Sequence, residues 1–249
     1  VARAVMDLLP AEDIVYFGDT ARYPYGPKPL NEVREFAFQI VEYLINEHDV
    51  KFLVVACNTA AAAALDELSA ETSVPIIGVI APGTQAAIDV SRTGQIGVIG
   101  TVGTINSGAY TRAFSTLSGG EIRPMTLACP GFVEFVEKGE ASGEQLQVLA
   151  ERLLAPIVSA NVDTLLLGCT HYPYLARVIG QVVGSDVVLV SSADETAFEV
   201  SRQLTEMDLL LKDEKEGKRV FISSGDVSWF AEVGERLFGP ELASAKPHE

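Results

Sequence analysis

The sequence predicts an α/β protein made of two pseudo-symmetric parallel-sheet domains. Three observations carry that reading. Short β-branched runs alternate with longer helical patterns along all 249 residues, the mark of strand–helix–strand units. The apolar runs are near-continuous rather than alternating, as expected for parallel strands covered on both faces. One strand-to-helix segment also recurs: Phe52-Leu53-Val54-Val55-Ala56-Cys57-Asn58-Thr59 resembles Thr164-Leu165-Leu166-Leu167-Gly168-Cys169-Thr170-His171.

Taken in order, the chain begins at Val1 rather than Met, and Val1–Leu9 already reads as a helix. Ile14–Phe17 is the first visible strand. Asp19-Thr20 and Pro24-Tyr25-Gly26-Pro27 follow it; the prolines and glycine make a rigid loop, and loops at strand ends commonly hold ligands. A helix over 31–47 leads to the strand Phe52–Ala56 and a helix over 59–71, whose Ala60–Ala64 tract is strongly helix-forming. The strand Ile76–Ile80 precedes a helix over 83–91. The strand Ile96–Ile99 precedes a helix over 105–117, and Arg123–Leu127 is a weaker strand. A helix over 143–159, the strand Thr164–Leu167, a helix over 174–183, the strand Val187–Val190, a helix over 195–209, the strand Val220–Ile222 and a helix over 227–238 complete the alternation. A fainter echo pairs Val15-Tyr16-Phe17-Gly18-Asp19-Thr20 with Gly97-Val98-Ile99-Gly100-Thr101. Two related halves explain both echoes. The first crossing is expected at Pro82-Gly83 and the return near Ser191-Ser192. That gives one domain of residues 1–81 with 192–249 and a second of residues 82–191. Right-handed crossovers place functional loops at the carboxyl ends of the strands.

Composition removes several classes. An apolar content of 48% with 21% charged residues does not suit a disordered chain. The net charge is −16 and no Lys/Arg run occurs, which argues against a nucleic-acid partner and against an anionic membrane surface. No apolar stretch approaches the ~20 residues that span a bilayer, and no signal peptide is recognisable. Three cysteines do not make a disulfide framework. The expectation is a globular, cytoplasmic protein.

Cys57 and Cys169 carry the strongest chemical signal, each directly after a predicted strand and at the start of a helix. A helix N-terminus favours negative charge and lowers a thiol's pKa. Read singly, either could be a small buried hydrophobe; two in matched settings favour chemistry. Cys129, before Pro130 and away from any strand-end match, reads as structural. His171, two residues beyond Cys169, can hold or receive a proton beside that thiol. His48 and His248 read as solvated. Cys169-x-His171 lacks the second Cys/His cluster a zinc site needs, so no metal is expected. A one-cysteine, one-histidine hydrolase would leave the second cysteine idle. Gly97-x-x-Gly100-x-x-Gly103 is neither G-x-G-x-x-G nor a P-loop. It reads as a tight turn with N–H groups available to a carboxylate. Asn58, Thr59, Thr101, Thr104 and Thr170 add short polar groups at the same sheet edge, which suits a small, highly polar ligand. Two thiols on opposite faces of one molecule can remove a proton from a tetrahedral carbon and return one from the other side, so that forward and reverse reactions interchange their roles. The carbanion is then stabilised by oriented N–H groups and exclusion of water.

The segments Cys57-Asn58-Thr59 and Gly168-Cys169-Thr170-His171-Tyr172-Pro173 closely resemble those of the glutamate racemase family. So do Gly18-Asp19-Thr20, Pro24-Tyr25-Gly26 and Cys129-Pro130-x-Phe132-Val133, and the resemblance runs from Val1 to about Gly239. It implies two α/β domains with the active site between them. It implies cofactor-independent interconversion of L- and D-glutamate, supplying D-glutamate for bacterial peptidoglycan, in a protein that forms a homodimer. By the same resemblance Cys57 acts on D-glutamate, and Cys169 acts on L-glutamate with help from His171. Tyr25, Gly26, Asn58, Thr59, Thr170 and His171 bind substrate, joined by Thr101 and Thr104. The family pattern opens with a strand ending in Phe-Asp-Ser-Gly-x-Gly-Gly, whose Asp assists the first cysteine. That segment does not precede Val1, and the expectation is a truncated sequence. Alternatives left open are a related two-thiol racemase for aspartate or a hydantoin, and a protein-binding role such as gyrase inhibition.

Overall fold

A computed structural model describes residues 1–212 and 215–248. Every strand pairing in it is parallel, and the strands fall into three sheets. Four strands form the largest: β4 (Ile96–Gly100), β5 (Met125–Ala128), β6 (Thr164–Gly168) and β7 (Val188–Ser191), in the order β5-β4-β6-β7. Beside it stand a pair, β2 (Leu53–Val55) with β3 (Ile76–Gly78), and a three-stranded sheet, β1 (Ile14–Gly18), β8 (Arg219–Ser223) and β9 (Lys246–Pro247).

The four-stranded sheet is covered on both sides, as its continuous apolar runs require. Along β6, Leu165 and Leu167 face a cluster with Ile99, Leu154, Ile157 and Tyr172, while Leu166 faces another with Ile96, Val98, Tyr110 and Phe114. Adjacent residues of a strand point to opposite faces, so both faces must be apolar. The register aligns the strand ends: Gly100 pairs with Gly168 on one side and with Ala128 on the other. Thr101, Cys169 and Cys129, the next residues along each chain segment, therefore emerge at one edge. At the opposite end the buried Asp163 ties down the loop before β4. Its carboxylate accepts from the backbone N–H groups of Arg92 (2.8 Å) and Thr93 (2.6 Å) and from the hydroxyls of Ser91, Thr93 and Thr164.

Helices cover the sheets. α1 (Ala2–Leu8) packs on α10 (Ser192–Glu206), and α2 (Leu30–His48) packs on α3 (Asn58–Glu71). α2 buries Val33, Ala37 and Val41, one residue per turn on one stripe, and ends at Asp49 in the left-handed region (φ 46°). α4 (Ile80–Val90) and α10 start three residues earlier than the sequence suggests. For α10 the cause is Ser191, whose hydroxyl accepts the Ala193 N–H and so caps the helix there. Pro82-Gly83, the expected crossing, lies in the first turn of α4.

The predicted helix over 105–117 is two helices, α5 (Val102–Asn106) and α6 (Ala109–Leu117). Gly108 separates them at φ 69°, a conformation that ends a helix and that glycine adopts without strain. A short helix absent from the sequence reading, α7 (Phe132–Glu137), follows Gly131 at φ 93°. α8 (Glu144–Ser159), α9 (Ala176–Val183) and α11 (Val227–Leu237) lie where expected. No helix of the described residues is long and apolar enough to cross a membrane.

Candidate active site

The two matched cysteines sit in different cradles. Cys57 follows β2 and is the N-cap of α3, with extended backbone (φ −96°, ψ 125°). Burial raises its thiol pKa. The N–H groups of Ala60 and Thr59 and the Thr59 hydroxyl pull it back down, and the charge of Cys169 adds to the rise.

Cys169 follows the last residue of β6 and is 6% exposed. The expectation that a helix begins there is corrected: a turn intervenes, and only a 3₁₀ segment, Tyr172–Leu175, precedes α9. Side chains take the place of a helix N-terminus. Sγ of Cys169 lies 3.9 Å from Nδ1 of His171, and Nε2 of His171 lies 2.6 Å from Oε1 of Glu137. Burial alone would push the imidazole pKa down. The Cys169 sulfur and the Glu137 carboxylate outweigh it and hold His171 up at about 10, so an imidazolium stands beside Cys169 at neutral pH. The other carboxylate oxygen of Glu137, Oε2, is buried with no hydrogen-bond partner. Glu137 escaped the sequence reading because α7 is six residues between glycines and shows no periodicity to read.

Cys129 also follows a strand directly, contrary to the expectation that it lies away from a strand end. It is 1% exposed, and burial followed by the nearby Cys169 charge pushes its thiol up to about 12. Its backbone is spent on structure: its N–H bonds to the Gly100 carbonyl and its carbonyl accepts from the Tyr172 hydroxyl (both 2.9 Å).

The predicted polar groups gather around the cysteines. The hydroxyls of Thr59, Thr101 and Thr104 form a closed triangle with edges of 2.9, 2.9 and 3.1 Å. Asn58 is 2% exposed; its Oδ1 accepts from the Tyr110 hydroxyl at 2.6 Å. Thr170 is half-buried and, with Cys169, Ser191 and Ser192, lines a cavity of about 20 Å³. Tyr25 donates to Oδ2 of Asp19, which also accepts from Arg22 Nε at 2.7 Å, while Oδ1 takes the Ser224 hydroxyl at 2.7 Å. Gly26 presses on the start of α5: its carbonyl accepts the Gly103 N–H at 2.9 Å, and a Cβ there would meet Thr101 Cβ at 2.9 Å. This corrects one expectation. The N–H of Gly103 is used by the loop, and that of Thr104 caps back to Thr101 Oγ1 at 3.3 Å, so neither is free for a carboxylate. His248 is exposed, as expected, with its ring 4.4 Å from that of Tyr43, whereas His48 is half-buried against the Tyr43 hydroxyl (3.3 Å). A larger depression between α1 and α10, lined by Leu8, Asp194 and Phe198 among others, shares no residue with this cluster.

Known proteins place this geometry. The sequence profile described as Asp/Glu/Hydantoin racemase matches residues 1–199. The chain is 48% identical over 246 residues to the glutamate racemase of Parafrankia sp., covering 98% of this chain and 88% of that one. It is 46% identical to that of Corynebacterium diphtheriae, covering 99% and 92%. Among solved structures, glutamate racemase isoform RacE1 from Bacillus anthracis superposes with a TM-score of 0.92 at 41% identity, covering 100% and 92%. The Francisella tularensis glutamate racemase, solved in complex with D-glutamate, gives 0.91 at 32% identity with the same coverage.

Proposed function

The chain belongs to the aspartate/glutamate/hydantoin racemase family of isomerases, and from that premise we propose that it interconverts L- and D-glutamate without a cofactor. The observation that carries the proposal is the pair of cysteines at matched strand ends, each in its own cradle of polar groups. One is set on a helix N-terminus, the other against an imidazolium held by a carboxylate.

In the L-to-D direction Cys169, as thiolate, takes the α-hydrogen as a proton. The Cα–H bond breaks and its electron pair stays on the substrate, delocalised into the α-carboxylate. Cys57, as thiol, delivers a proton to the opposite face, so carbon leaves with inverted configuration and the two sulfurs have exchanged protonation states. The reverse reaction or exchange with solvent resets them. His171 holds positive charge beside Cys169 while that sulfur is anionic, and Glu137 fixes the ring's orientation and charge. The hydroxyls of Thr59, Thr101, Thr104 and Thr170, the amide of Asn58 and the Tyr25-Gly26 loop bind the two carboxylates and the amine. Asp19 orients Tyr25 for that task. The domain division follows: residues 1–81 with 192–249 carry Cys57, and residues 82–191 carry Cys169. The separation of the four-stranded sheet, which lies within 96–191, from the other two supports it. Supply of D-glutamate to peptidoglycan in the cytoplasm, by a homodimer, completes the reading.

The test is an incubation of the full-length protein with L-glutamate in D₂O without added cofactor, followed by proton NMR and chiral chromatography. Deuterium at the α-carbon appearing together with D-glutamate is expected. Exchange with aspartate or a hydantoin but not with glutamate would overturn the substrate assignment, and no exchange with any of them would overturn the catalytic reading.

A further inference from the structure

Asn58 has a buried side-chain nitrogen, Nδ2, with no hydrogen-bond partner. A buried unpaired amide donor is costly, so it points to an acceptor supplied from outside the protein. The other end of the amide is fixed. Its Oδ1 accepts at 2.6 Å from the hydroxyl of Tyr110, a residue 52 positions further on and 1% exposed. Tyr110 stands on α6 and touches both cysteine cradles. It holds Asn58, which follows Cys57, and its ring lies against Gly168, which precedes Cys169; a Cβ on Gly168 would come within 2.7 Å of that ring.

The two ends of a primary amide are opposite in hydrogen-bond character and interchange by a half-turn about one bond. Against a carboxylate, the NH₂ end attracts and the oxygen end repels. A phenol hydroxyl that donates selects the oxygen for itself and turns the NH₂ away. Burial raises the Tyr110 pKa well above the ordinary phenol range, so the hydroxyl keeps its proton at working pH. A phenylalanine would fill the same space against Gly168 without choosing between the two ends.

We propose that Tyr110 is a positioning residue that locks the Asn58 amide with its NH₂ group toward a carboxylate of the bound amino acid. The inference rests on the racemase reading above and adds to it the residue that sets the polarity of the anion subsite. Without the lock, the amide samples the orientation that repels the ligand, and affinity falls while proton transfer between the sulfurs is untouched.

Tyr110→Phe removes the hydroxyl and keeps the ring. KM for both glutamate enantiomers should rise about tenfold, the scale of one hydrogen bond to a charged group, with kcat and its pH profile unchanged. In an Asn58→Ala background the same substitution should add nothing to KM. An unchanged KM in Tyr110→Phe, or factors that simply multiply in the double variant, would overturn the proposal. Asn58→Asp provides a check that does not depend on altering Tyr110. The phenol still has an oxygen to donate to, but the second oxygen replaces the NH₂. Loss of glutamate-induced thermal stabilisation, with the melting transition itself retained, is expected; undiminished stabilisation would count against the lock. A wild-type protein that leaves the α-hydrogen of glutamate in place would sink the racemase reading itself. Wild-type exchange with normal KM in the Tyr110 variant would sink the lock alone.

Discussion

Cys57 and Cys169 occupy matching places in the sequence and contrasting places in the structure. Cys169 stands at the end of β6, all five of whose residues are buried in a four-stranded sheet. Cys57 follows β2, a three-residue strand with only Leu53 buried, in a two-stranded sheet. The first sulfur faces a charged side-chain pair, His171 and Glu137. The second is tuned by the backbone donors of α3 against the opposing effect of burial. The lesson is that two groups can share one chemical task and reach it by different physics. A helix N-terminus cannot be titrated, whereas a histidine–glutamate pair can.

That contrast breaks most visibly when either sulfur is removed. Cys57→Ser and Cys169→Ser should each cut racemisation by about a thousandfold, within the range for a positioned proton-transfer group, with circular dichroism unchanged. Each variant should retain slow α-hydrogen exchange of one enantiomer, D-glutamate for the variant keeping Cys57 and L-glutamate for the one keeping Cys169. Near-native turnover by a folded variant would remove that sulfur from the mechanism.

A smaller effect is expected at the titratable cradle alone. The raised His171 pKa means its proton contributes stability in full below the ordinary value of 6.5 and loses it progressively as pH climbs toward about 10. Glu137→Gln removes one of the two groups that hold it there. The alkaline limb of kcat should then move to lower pH, and the melting temperature should lose part of its decline between neutral and alkaline pH. Profiles identical to wild type would show that Glu137 does not control the charge of His171 beside Cys169. The backbone donors around Cys57 offer no such handle.

The smallest catalytic effect belongs to the scaffold. Asp163→Asn, at the amino end of β6, replaces an acceptor of five hydrogen bonds and should cost about 2 kcal/mol of stability. KM and kcat should stay near native at moderate temperature. Despite the cost of burial, the Thr93, Ser91 and Thr164 donors hold the Asp163 pKa below the usual carboxylate range. Its contribution is therefore complete above about pH 4 and fades as the solution is acidified past that point. A variant as acid-resistant as wild type would show that the loop is anchored elsewhere.

Much of this was legible because the signals are local. A run such as Leu165-Leu166-Leu167 must be a strand covered twice, and a cysteine directly after it must emerge at the sheet edge. The resemblance of Gly168-Cys169-Thr170-His171-Tyr172-Pro173 to a known family then supplied the chemistry. Glu137 and Tyr110 were not legible. Glu137 meets His171 across 34 positions from a helix too short for a pattern, and Tyr110 sits on an amphipathic helix where an aromatic reads as ordinary core. Gly103 shows the opposite failure. Its glycine spacing was visible, but its N–H bonds to the Gly26 carbonyl, a partner that only the folded chain brings near.

That contact between Gly26 and the residues around α5 sets a spacing. On one side a Cβ at Gly26 would strike Thr101 at 2.9 Å, and on the other a Cβ at Gly103 would strike the Gly26 carbonyl at 3.0 Å and the Thr59 methyl at 3.2 Å. Two absent methyl groups thus act as a feeler gauge between the Tyr25 loop and the Thr101 turn. Any lineage of this chain that needed a roomier gap could open it one carbon at a time, without touching the sulfurs or the strands that carry them.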